Sequence, residues 1–104
     1  MRKKIVAGNW KMNNGVKETS QLIRKVKKSL ANLELNNVRV IVAPSFVNLA
    51  GAIKGAKDSK IEVAAQNMHQ EKSGAFTGEI SAEMLQSIGI KTVILGHSER
   101  RQYF

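Results

Sequence analysis

The sequence predicts an α/β fold in which four short parallel strands alternate with three helices. Three observations carry this expectation. Four β-branched apolar runs recur along the chain, and the stretches between them place apolar residues at helical spacing. The runs are also continuous rather than alternating, the pattern of strands buried on both faces, as in a parallel sheet built from βαβ units.

The first strand centres on Ile5-Val6-Ala7 and runs into a polar stretch from Asn9 to Gly15. A helix is expected from about Lys17 to Leu33, with Leu22, Ile23, Val26, Leu30 and Leu33 on one face. The second strand, Val38 to Ala43, is stopped by Pro44. Ser45 then caps a short helix that turns Phe46, Leu49, Ala50 and Ile53 inward and ends near Gly55. Ile61 to Ala65 forms the third strand, followed by a long polar segment, Gln66 to Glu79. Ser81 caps a third helix with Met84, Leu85 and Ile88 inward and Gly89 as its stop. The fourth strand, Thr92 to Leu95, runs into a polar turn, His97 to Arg101, with no further helix expected. Residues 1–104 read as a single domain without linker or internal boundary. Four parallel strands with free edges are compatible with a doubly wound sheet, but the ending looks cut.

Composition narrows the function classes. The chain has 104 residues, 42% of them hydrophobic, which argues for a packed core rather than disorder. It has no cysteine, hence no disulfide, thiol nucleophile or cysteine metal site. No apolar run approaches the ~18 residues of a membrane span. The basic start MRKK leads into an apolar run too short for a signal peptide. A cytoplasmic protein with no membrane partner is the expectation. The net charge is +9, and Lys17, Arg24, Lys25, Lys27 and Lys28 crowd into one helix. That helix carries no aromatic residue on which a base could stack, so a solvated basic face is preferred to nucleic-acid binding. A basic nucleic-acid-binding module is the alternative ranked last.

In α/β folds the chemistry gathers at the carboxyl ends of the strands. Those positions hold Asn9, Lys11, Gln66, Asn67, His97 and Glu99. Each has a plain reading alone: a turn-shaping asparagine, a solvated lysine, a packing histidine. His69 reads as an exposed loop residue with a structural role. A lysine, an asparagine and a histidine on one rim nevertheless make a site for an anionic, carbonyl-bearing substrate.

The loop sequences resemble one family specifically. AGNWKMN (Ala7 to Asn13), AQNMH (Ala65 to His69), SGAFTGEIS (Ser73 to Ser81) and VILGHSERRQYF (Val93 to Phe104) are similar to the triosephosphate isomerases, in register from Lys4 to Phe104. The resemblance implies the N-terminal βα units of a (β/α)₈ barrel, whose full length is ~250 residues. It implies an aldose-ketose isomerase that interconverts dihydroxyacetone phosphate and glyceraldehyde 3-phosphate through an enediolate, a step of glycolysis and gluconeogenesis, without cofactor or metal.

By the same resemblance Lys11 matches the catalytic lysine, Asn9 the asparagine that hydrogen-bonds substrate oxygens, and His97 the electrophilic histidine. In the family that imidazole works neutral at a helix N-terminus. Glu99 matches the carboxylate beside the lysine, and Ser98 the serine that holds the catalytic base in the open site. The base itself is a glutamate of a later strand, and no segment here resembles its surroundings, so the isolated chain is expected to be inactive. Gln66 to Glu79 resembles the interdigitating loop that inserts into a second subunit of a homodimer, with Phe76 as anchor and Thr77 reaching the partner's lysine and asparagine. Gln70 and Ala82 stand where the family often has proline. A second expectation is a non-catalytic half-barrel module that assembles with itself or with a complementing C-terminal half.

Overall fold

The computed structural model describes residues 2–104. Its elements run β1 (Lys4–Asn9), α1 (Val16–Leu30), β2 (Val38–Ala43), a 3₁₀ turn (Phe46–Asn48), α2 (Leu49–Ala56), β3 (Ile61–Ala65), α3 (Ala82–Ser87), β4 (Thr92–Val93) and α4 (Ser98–Tyr103). The strands lie in sequence order, β1-β2-β3-β4, and every neighbouring pair is parallel. A doubly wound sheet would reverse its order at a switch point. An unreversed order of right-handed crossovers keeps the helices on one face and curls the sheet, so this is an arc of a barrel.

The two faces of that arc have separate cores. On the helix side, Ile23 of α1 meets Val42, Ala52, Ala56 and Ile61, with Trp10, Val26 and Leu30 packed around them. A second cluster joins Leu49, Ala65, Leu85 and Ile90. On the concave side, Ile41, Ala43 and Ala64 are buried with Ile94 against them. Gly55 sets the approach of α2 to α1, because a Cβ at that position would stand 3.0 Å from Ile23 Cγ2.

Several expectations need correction. The start of the second helix is a 3₁₀ turn, which shifts the helical phase. Leu49, Ala52 and Ala56 therefore face inward, whereas Phe46 and Ala50 are exposed. Ser45 makes no side-chain cap; its hydroxyl instead accepts from Asn48 Nδ2 at 2.9 Å. Ser81 does cap α3, accepting from the Met84 N–H at 3.2 Å, but Met84 itself is exposed. Leu33 lies beyond the end of α1 and is exposed. Among the described residues there are four α-helices rather than three: the polar stretch after β4 closes into α4. Its six residues carry no apolar periodicity to announce it. Ile5 and Val6 of β1 are more than half exposed, as suits a strand with no neighbour on its outer edge among the described residues.

Candidate active site

The loop after β1 carries Lys11 in an unusual backbone conformation. Lys11 and Asn14 both have left-handed φ, +56° and +73°. For a residue with a Cβ this costs about 1–2 kcal/mol and requires support from elsewhere. The support is visible. Asn9 Oδ1 accepts from the Lys11 N–H at 2.9 Å, and Asn13 Nδ2 donates to Trp10 O at 2.9 Å. From the end of β3, Gln66 Nε2 donates both to Lys11 O and to Ala43 O, each at 2.8 Å. The Trp10 N–H bonds Ala43 O as well, so the carboxyl ends of β1, β2 and β3 are tied at one carbonyl.

From the opposite edge of the sheet, β4 leads through Gly96 (φ +62°) into α4. His97 occupies the N-cap, its Nδ1 accepting from the Glu99 N–H at 3.0 Å. A nitrogen that accepts an amide proton holds none of its own, so this geometry fits the neutral tautomer with hydrogen on Nε2. Glu99 turns its carboxylate to Lys11, Oε1 lying 2.7 Å from Nζ. The hydrogen bond from Lys11 holds the Glu99 carboxyl below its ordinary pKa, reinforced by the charge of Lys11 and opposed by partial desolvation. Both side chains are about half exposed, so this pair adds little to fold stability. What it does is fix where the ammonium sits.

Asn9, Lys11, Gln66, Asn67, His97 and Glu99 thus line one open cleft of about 450 Å³, with Leu49, Ala65 and Ile80 as apolar wall. Arg100 and Phe104, which nothing in the sequence pattern singled out, line it as well, the guanidinium lying 4.8 Å from the Phe104 ring centre. The remaining expected residues fall outside its wall. Ser98 is exposed at the first turn of α4, and Thr77 is exposed in the long loop. Gln66 points into its own chain instead of out along that loop.

The long loop is ordered by its own contacts. The His69 N–H bonds Ile80 O at 2.7 Å, closing the base of the loop, and the His69 ring lies 4.3 Å from the ring of Phe76. His69 is therefore half-buried rather than exposed. Gly74 and Gly78, with φ of +130° and +91°, turn the chain on either side of Phe76.

The chain matches the family model described as triosephosphate isomerase over residues 4–104. It is 57% identical over 104 residues to a protein named triosephosphate isomerase from Flavobacterium psychrophilum. It is 55% identical to one of that name from Flavobacterium johnsoniae and 52% to one from Clostridium acetobutylicum. Each alignment covers 100% of this chain and 41% of the relative, so the chain spans about two fifths of their length. With the strand order, the rim residues and the family match in agreement, this chain belongs to the triosephosphate isomerase family.

Proposed function

We propose that these residues serve the interconversion of dihydroxyacetone phosphate and glyceraldehyde 3-phosphate. The observation that carries the reading is the convergence of Lys11, Glu99 and His97, from opposite edges of the sheet, on one cleft. In the ketone-to-aldehyde direction, a base removes a proton from C1, next to the carbonyl at C2. The electron pair left behind forms the enediolate. His97 donates from Nε2 to the carbonyl oxygen as charge develops there. Lys11 offers a fixed positive charge to that oxygen and to the phosphate, and Glu99 keeps it oriented. Asn9 contributes a side-chain amide to substrate oxygens. O2 keeps the proton given by His97, and the C1 hydroxyl gives its proton back to the imidazole. Returning the carbon-bound proton to C2 then yields the aldehyde at C1, with no electrons gained or lost.

The base is the piece this reading does not find among residues 1–104. In the family it belongs to a later strand, so the chain on its own is expected to be inactive, with Ser98 holding that glutamate once the longer protein is assembled. Homodimerisation through Phe76 and Thr77, exposed in a loop ordered at its base, belongs to the same proposal. So does a cytoplasmic location; no helix among the described residues is long and apolar enough to cross a membrane. The test joins this chain to the remaining three fifths of one relative and follows triose phosphate turnover. Lys11→Ala and His97→Ala should each abolish most of it, and unchanged rates would sink the assignment.

A second reading rests on the sheet edges. Ile5, Val6 and Leu95 are exposed apolar side chains on β1 and just after β4, the two strands with an unpaired side. They suit a half-barrel that associates with itself or with a complementing half. Sedimentation of the isolated chain as a folded monomer at all concentrations would count against self-association.

A further inference from the structure

The loop that carries Lys11 contains two left-handed residues, and each has its carbonyl held by a side-chain amide from a distant part of the chain. Gln66 takes Lys11 O, as described above. Asn48 takes the other: its Nδ2 donates to Asn14 O at 3.0 Å. We propose that Asn48 is a positioning residue for Lys11, locking the far end of its loop so that the lysine stays directed at Glu99.

Asn48 is placed to do this. It closes the 3₁₀ turn after Pro44, its N–H donating to Ser45 O at 3.0 Å, and its amide nitrogen donates also to Ser45 Oγ at 2.9 Å. The next residue, Leu49, is 1% exposed in the core. The amide is therefore mounted on a rigid corner, and the Asn14 carbonyl is tied to that corner across 34 residues of sequence. Asparagine tolerates left-handed backbone better than most residues, but keeping one such conformation out of those open to it requires something to hold it. Asn14 is exposed, so packing does not supply that hold. The Asn48 tie does.

Stability of the fold does not account for this asparagine. Its side chain is buried, and its Oδ1 has no hydrogen-bond partner among the described residues. A buried acceptor left unpaired is destabilising, and an apolar residue of similar size would avoid it. What leucine could not provide is the donor that reaches Asn14.

The catalytic meaning of this role rests on the isomerase reading, but the positional claim is read on a separate observable. The Glu99 carboxyl titrates low because Lys11 Nζ stands beside it. Its titration midpoint, followed by NMR in this chain, reports whether the lysine stays in place. Lys11→Ala gives the midpoint for a lost pair. Asn48→Leu is expected to raise the midpoint at least half-way to that reference, with the helical circular dichroism unchanged. Adding Asn14→Gly, which adopts positive φ without strain, should recover part of the loss. A purely structural role for Asn48 predicts no such recovery. A wild-type midpoint in folded Asn48→Leu, or a rise that Asn14→Gly leaves in place, overturns the proposal. Where Asn48→Leu does not fold, Asn48→Ser removes the same reach without added bulk, and if neither folds the residue is a core element and the proposal fails. In the completed barrel, no triose turnover from an unsubstituted chain whose Glu99 titrates low would overturn the isomerase reading and leave the positional claim standing.

Discussion

The side-chain amide of Gln66 holds the carbonyl oxygen of Lys11 at 2.8 Å from 55 residues further along the chain. The same nitrogen bonds Ala43 O, so one amide fixes the lysine loop to the ends of two strands. Removing both bonds, as in Gln66→Leu, leaves the Lys11 carbonyl to solvent and the Ala43 carbonyl with the Trp10 N–H, and should cost about 1–3 kcal/mol, near 1 kcal/mol for each bond. Urea unfolding measures it. The expected signature is a lower midpoint with an unchanged slope, since the surface exposed on unfolding is the same.

A second prediction concerns acid. Arg39 on β2 and Glu62 on β3 form a two-pronged pair, with Nε–Oε2 and Nη2–Oε1 both at 2.8 Å. The hydrogen bonds from Arg39 lower the Glu62 pKa below its ordinary 4.5, against a smaller opposing effect of burial. A carboxyl depressed in the folded state gives stability that is complete above the unfolded value. That contribution is lost as pH falls through the folded value. Urea midpoints between about pH 6 and pH 3 should therefore decline, and Arg39→Leu should flatten part of the decline. The pair is more than one-third exposed, so the effect is modest. An acid profile that Arg39→Leu leaves untouched would remove this pair from the account.

The contact between α1 and α2 gives a third. Gly55→Ala puts a methyl 3.0 Å from Ile23 Cγ2, a side chain with 1% exposure and nowhere to move. A loss of about 1–3 kcal/mol is expected from overpacking, outweighing the gain in helix propensity. Ile23→Leu, which has no methyl on Cβ and so withdraws Cγ2, should offset part of it. A double variant no more stable than Gly55→Ala would place the strain elsewhere.

Core truncation supplies a fourth. Leu49, buried between α2, β3 and α3, sits directly after Asn48. Leu49→Ala should lower stability by about 2–5 kcal/mol, read by chemical denaturation. In a chain of this size that is a large share of the total.

Much of this architecture was legible in the sequence, for identifiable reasons. The second and third strands, Val38–Ala43 and Ile61–Ala65, announced themselves as continuous apolar runs with sharp stops. The Ser81 cap followed from its residue type and the helix behind it. The errors lie where local pattern is weak. Phe46 is apolar and well spaced for a helix, yet it lies in the 3₁₀ turn after Pro44 and faces outward. The helix Ser98–Tyr103 has no apolar stripe, and its start is marked by the His97 cap, a residue type that does not announce one. At the site, residue types and strand ends pointed to Asn9, Lys11, His97 and Glu99, which the fold brings to one cleft. The inward turn of Gln66 and the tie from Asn48 could not be read, because both depend on carbonyl positions that exist only after the sheet has assembled.

In the proposed function these residues supply the lysine and the histidine of a triose phosphate isomerase site, and the base comes from another part of the protein. Triose phosphate turnover by residues 1–104 alone, at confirmed mass, tests it most directly. No turnover above background is expected, with activity appearing only when the remaining part of the barrel is supplied. Turnover by the isolated chain that disappears in His97→Ala would mean that a carboxylate within these residues acts as base, and the account would be wrong.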